Sequence, residues 1–148
     1  MSENVEKTSS GSANTYVLDS SALLAYLTNE PGAGRVNELL EQARHHRCRL
    51  LAPFMVFMET CYRIWQMRGE DAARQTFADL SHLPIRRVDV EDQSLWLACE
   101  MKAVYRLSVG DAWVLAAALM HKATLVHKDP DFEVARHLVS MEILPYKK

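Results

Sequence analysis

Cysteine is scarce in this chain. Cys48, Cys61 and Cys99 are the only three in 148 residues and form no CxxC pair, which argues against a disulfide framework and against a cysteine zinc site. Such sparse, odd cysteine usage points to a reducing, cytoplasmic setting. Long apolar runs are lacking too: Leu50 to Met58 and Ala112 to Met120 are each about half of the roughly 20 residues a bilayer span requires, so no membrane segment is expected. Glycine is infrequent, and Gly32 and Gly34 follow a predicted helix with no third glycine at the dinucleotide-binding spacing. Neither sign of charge dominates, since 17 Lys and Arg face 19 Asp and Glu for a net charge of -2. That balance withholds the usual first sign of a nucleic-acid binder, a domain pI above about 9. No internal repeat or low-complexity segment interrupts the chain. The polar stretch 1–14 has no apolar core of the kind a secretory signal needs, and reads as a disordered leader to a single domain over 15–148.

What is present is an ordinary globular balance, 49% hydrophobic and 24% charged, sufficient to bury a sizeable core. Thr15 to Asp19 is β-branched and apolar and reads as a buried first strand, with Ser20 or Ser21 capping the helix that follows. Val36, Leu39, Leu40 and Ala43 recur at three and four and mark an amphipathic helix to about Arg47. Arg49 to Ala52 is a short second strand, and Pro53 opens the next helix, which Gly69 ends. A helix over Ala72 to Leu80, a strand over Ile85 to Val90 and a long helix from Glu91 to Tyr105 follow. Asp111 opens an almost wholly apolar helix, which requires burial on most sides. Thr124 to His127 is a fourth strand, Phe132 to Leu138 a short helix and Glu142 to Leu144 a last strand. Strands separated by helices imply an α/β fold, a mostly parallel central sheet of four to five strands in a three-layer α/β/α arrangement.

In such a sheet ligands gather outside the carboxyl ends of the strands, and acids stand there. Asp19 ends the first strand and Asp129 lies just beyond the fourth. Two more acids are out of place by composition: Glu59 follows a nine-residue apolar run, and Asp111 begins the most apolar helix. Converging carboxylates repel unless they bind protons or a cation, and hard oxygen donors suit Mg²⁺ or Mn²⁺ better than zinc. Each acid also has an ordinary structural use: Asp19 and Asp129 as turn or cap residues, Asp111 as an N-cap, Glu59 on a solvent face.

The strings YVLDSSALLAYL, PFMVFMET, LSVGDAWVLAAAL and LVHKDPDF, in that order, resemble the PIN domain family. The similarity is greatest to the VapC-type toxin ribonucleases of toxin–antitoxin systems, and it runs from about Thr15 to the C-terminus. The resemblance implies a three-layer PIN-like fold and a nuclease that hydrolyses phosphodiester bonds of single-stranded or structured RNA with Mg²⁺ or Mn²⁺. It assigns catalysis and metal binding to Asp19, Glu59, Asp111 and Asp129, with Ser21 as the small hydroxyl residue after the first acid and Asp131 as an outer contributor. His127 stands where many relatives carry Thr or Ser; an imidazole there supports the site with a different reach, or faces solvent from the strand end. Lys128, beside the crevice, is the candidate substrate contact.

Arg44, Arg47 and Arg49 with His45 and His46 form the densest basic patch, a guide for RNA or a solvated helix end, and Trp65 and Trp113 either stack bases or belong to core or subunit interface. A homodimer and an antitoxin protein are the partners the resemblance implies, with Leu23, Leu24, Leu27, Leu39 and Leu40 either receiving an antitoxin helix or packing as core. Competing readings are a PIN-domain RNA-processing nuclease outside toxin–antitoxin systems and a non-catalytic PIN-like module that binds RNA or protein. A phosphoacceptor receiver domain needs paired acids where Ser20 and Ser21 stand.

Overall fold

The computed structural model describes residues 14–146. In chain order the elements are β1 (Thr15–Leu18), α1 (Ser20–Leu27), α2 (Ala33–Arg44), β2 (Arg49–Pro53), α3 (Phe54–Arg68), α4 (Glu70–Leu80), β3 (Ile85–Val88), α5 (Asp92–Tyr105), α6 (Val109–His121), β4 (Thr124–His127), a 3-10 helix (Pro130–Ala135) and β5 (Met141–Ile143). The proposed leader, apart from Asn14, lies outside the described residues.

All pairings are parallel, and the five strands lie in the order β3-β2-β1-β4-β5. From β1 the chain winds outward to β2 and β3, then returns to the other side of β1 for β4 and β5. The winding therefore reverses between β1 and β4, which makes the crevice beyond their carboxyl ends the switch point where an open α/β sheet receives ligands. The register joins Leu18 to Val126, and the backbone N–H of Asp19 continues it by donating to the Val126 carbonyl at 3.0 Å. Asp19 and the segment after β4 thus leave the sheet side by side.

Helix α6 explains how the sheet is held. It contacts β1, β2 and β4, and Ala112 and Val114 to Ala118 are all buried, as its uninterrupted apolar sequence demands. The small alanines bring its backbone close to the strands. On the other face α1 contacts β1 and β4 and also packs on α2 and α3. Leu23, Leu39 and Leu40 are completely buried, Leu24 nearly so and Leu27 partly; the first four are core, and their surface is not free for an antitoxin helix. Replacing one by Ala would cost about 2–5 kcal/mol.

Several boundaries differ from the sequence reading for reasons that bear on the site. Asp19 is not the end of β1 but the N-cap of α1, a role expected of Ser20 or Ser21. Helix α6 begins at Val109, capped by Ser108, whose side chain accepts from the Asp111 N–H; Asp111 lies inside the first turn. The segment after β4 closes as a 3-10 helix capped by Asp129, with Pro130 at its start.

Candidate metal centre

Each acid reaches the crevice by a different local device. Asp19 is 2% exposed. Its Oδ2 accepts from the Ser21 N–H at 3.1 Å and from the Ser21 hydroxyl, while its Oδ1 is buried without a partner. Ser21 Oγ in turn accepts the Lys128 N–H at 2.9 Å, so one hydroxyl ties the end of β1 to the end of β4. Glu59 projects half-buried from the second turn of α3, with Oε1 buried and unpartnered. It packs on Gly110, where an added Cβ would stand 2.8 Å from Oε1 and 2.9 Å from Oε2. Only a glycine leaves room for that carboxylate. Asp111 is 7% exposed, positioned by the Ser108 cap at 3.1 Å.

Asp129 is held at both ends. Its backbone N–H donates to His127 Nδ1 at 3.0 Å, and its Oδ1 accepts the Asp131 N–H at 2.9 Å. His127 is fully buried, with its ring 4.8 Å from that of Phe132, so a solvent-facing strand-end histidine is ruled out. Its Nδ1 accepts a hydrogen bond, which places the ring proton on Nε2. Burial is the first cause of a lowered pKa, consistent with a neutral ring. It supports the site through the backbone of Asp129.

The acids sense one another. Burial first, then Asp19 and Asp129, push the Asp111 carboxyl up to about 7, and Glu59 adds to the rise. Glu59 is raised by burial, then by Asp19 and Asp129. Asp19 is raised by burial and by Asp129 against the Ser21 hydrogen bonds. Asp19, Glu59, Asp111 and Asp129 are thus coupled through their charges, and Arg63 offsets part of the rise at Glu59. Asp131 stands closer than an outer contributor would: one oxygen from each of Asp111, Asp129 and Asp131 lies within 4.8 Å of the other two. These three carboxylates form a hard donor set that fits a divalent cation; Asp19 and Glu59 are not in this close group and are linked to it by charge coupling.

Lys128 does not serve the crevice. Its side chain is 3% exposed, and Nζ is committed to Glu30 at 3.2 Å and to the Pro31 carbonyl at 2.8 Å. A phosphate cannot reach it in that arrangement. Ser108 and Gly110 belong to the site and were not singled out from sequence. The Ser-x-x-Asp spacing ahead of an apolar run, a recognised helix-start signal, contained the first of them.

The sequence profile of the PIN domain matches residues 16–138. No curated protein matches the chain in sequence. Among solved structures it resembles VapBC2 from Rickettsia felis bound to a DNA fragment from its promoter, with a TM-score of 0.68 at 14% identity over 88% of this chain and 99% of that one. It also resembles DNA-bound VapBC from Salmonella typhimurium, with a TM-score of 0.68 at 14% identity over 87% and 97%. For VapC20 from Mycobacterium tuberculosis, a toxin that cleaves the sarcin-ricin loop, the TM-score is 0.64 at 19% identity over 81% and 94%. At these identities the structural likeness speaks for the fold, and the profile match spans most of the chain: the protein belongs to the PIN domain family.

Proposed function

We propose that this protein is a divalent-metal-dependent endoribonuclease that hydrolyses phosphodiester bonds of single-stranded RNA in the cytoplasm. We further propose that it is the toxin of a VapBC-like pair, restrained by an antitoxin protein and active as a homodimer. The observation that carries the reading is the close trio of Asp111, Asp129 and Asp131, coupled through charge to Asp19 and Glu59, whose Oδ1 and Oε1 are buried and unpartnered. Nuclease activity is general in the family. The neighbours that carry antitoxins and promoter DNA support the toxin assignment by analogy.

These acids, with Asp131, would hold Mg²⁺ or Mn²⁺. Such an ion supplies Lewis-acid charge at the attacked phosphate and makes water a better nucleophile at neutral pH. The chain's own part is to fix the donors. Ser21 clamps Asp19, the Ser108 cap sets the first turn of α6, and His127 with the Asp131 N–H aims Asp129. Among the described residues no helix is long and apolar enough to cross a membrane. Met58, Trp65 and Phe77 are each more than half exposed around an apolar groove of about 640 Å³; this surface, unlike the buried leucines, would be accessible to a protein partner.

Purified protein incubated with single-stranded RNA and Mn²⁺ is expected to cleave it, and EDTA to abolish cleavage. Cleavage that survives EDTA would sink the reading. A finer test uses Gly110→Ala. The added methyl collides with the end of a flexible side chain, so Glu59 swings away and the fold is spared; the helix itself gains up to about 1 kcal/mol. Melting temperature is expected to hold or rise slightly, while Mn²⁺ affinity measured by calorimetry falls about tenfold. Unchanged affinity would remove Glu59 from the donor set.

A further inference from the structure

A crevice of carboxylates repels a polyanion, and Lys128, the cation adjacent in sequence, is locked to Glu30 and Pro31. Some other positive group must meet the substrate backbone. Five arginines are already engaged: Arg35 with Glu142, Arg44 with Glu41, Arg74 with Glu70, Arg87 with Asp89 and Arg136 with Glu133. Arg47, Arg68, Lys102, Arg106 and Lys122 carry no ion pair among the described residues, but none of them stands one helical turn from a crevice acid on the same helix. Arg49 opens β2 opposite Thr15, at the end of the sheet away from Asp19, and Arg86 lies near the start of β3.

We propose that Arg63 is the residue by which the site grips a phosphate of the RNA backbone: an exposed guanidinium one helical turn beyond Glu59 on α3, without an ion-pair partner among the described residues. The inference rests on the ribonuclease reading above. Residues four apart share a helix face, and side chains on a helix lean toward its N-terminus. Arg63 therefore extends back over the turn that carries Glu59. Its charge is felt at the Glu59 carboxyl, although the two form no ion pair within 4.0 Å among the described residues. A planar fork left unpaired beside an anionic crevice suits bidentate contact with phosphate oxygens. The contact lies outside the donor set, so it serves substrate affinity and leaves metal binding alone.

The test compares wild type, Arg63→Gln, Arg63→Lys and the charge-matched control Arg74→Gln on a short single-stranded RNA with saturating Mn²⁺, over a range of salt. R63Q is expected to raise KM roughly tenfold, with kcat and calorimetric Mn²⁺ affinity close to wild type. Its slope of log affinity against log salt should be shallower by about 0.7, the value of one lost phosphate contact on a single strand. R63K should keep the slope and lose part of the affinity, and R74Q should match wild type. An R63Q enzyme with the wild-type KM and salt slope overturns the proposal while leaving the ribonuclease reading standing. Absence of cleavage by wild type overturns that reading, and this inference with it.

Discussion

Replacing Asp111 by Asn is expected to abolish RNA cleavage and, in the same molecule, to make the metal-free fold more stable near pH 8. The two effects share one cause. Asp111 is 7% exposed on the first turn of α6, and burial together with Asp19, Asp129 and Glu59 raises its pKa from 3.8 to about 7. At pH 8 the folded protein holds that carboxylate ionised against an unfavourable field. A rise of this size corresponds to a cost on the order of 4 kcal/mol. Asparagine removes the charge and keeps the backbone N–H that Ser108 caps. Its amide needs a partner that the crevice does not supply, at about 1 kcal/mol. A net gain of about 3 kcal/mol should raise the melting temperature by roughly 6–12 °C for a domain of this size. Activity moves the other way, because a divalent ion needs the charged donor; losing several kcal/mol of transition-state stabilisation lowers kcat/KM by about a thousandfold or more. Calorimetry of metal-free protein and RNA cleavage with Mn²⁺ read the two effects separately. A D111N protein less stable than wild type at pH 8 would show that the carboxylate is a structural partner and not a strained ligand.

The same opposition governs what the sequence made legible. The parallel sheet follows from the alternation of apolar strands and amphipathic helices, whereas its order β3-β2-β1-β4-β5 is set by pairings distant in sequence. Glu59 and Asp111 stood out because acids in apolar segments conflict with burial. What stayed hidden depends on contacts far apart in sequence. Lys128 looked like a substrate contact from its neighbours, but its partner Glu30 lies 98 residues away, and no local pattern reports that pairing. His127 occupies the last position of β4, where short strands usually meet solvent; Phe132 and the 3-10 turn fold back to bury it. Asp19 was readable as a site acid and as a cap, and both uses hold together: Oδ2 caps α1, and Oδ1 is left for the crevice. An N-cap and a ligand are not exclusive when one carboxylate has two oxygens.

Stability of the metal-free protein should fall as pH rises, and Mn²⁺ should reverse the trend. The sign follows from the raised pKa of Asp111. Between its ordinary value of 3.8 and its folded value of about 7, the folded state keeps a proton that the unfolded chain releases. Stability is then greatest at the acid end of that window, declines as pH climbs through it, and is level above about 7. Asp19 and Glu59, also raised, contribute with the same sign. His121 and His127 oppose it, since burial lowers their pKa from 6.5; an unfolded histidine takes up the proton the folded one refuses, so their share rises with pH up to about that value. Subtracting the pH profile of D111N from that of wild type over about pH 5 to 8 cancels the histidine contribution and leaves a difference on the order of 3 kcal/mol. A divalent ion competes with the protons for the same oxygens, so it binds more tightly as pH rises. At about a hundred times its dissociation constant it adds roughly 2.7 kcal/mol, or about 5–11 °C, and most of that gain appears above pH 7. Wild-type and D111N profiles that run parallel without metal, or a Mn²⁺ shift that is equal at both ends of the range, would mean that the carboxylates are already neutralised within the protein and that the crevice is not built around a cation.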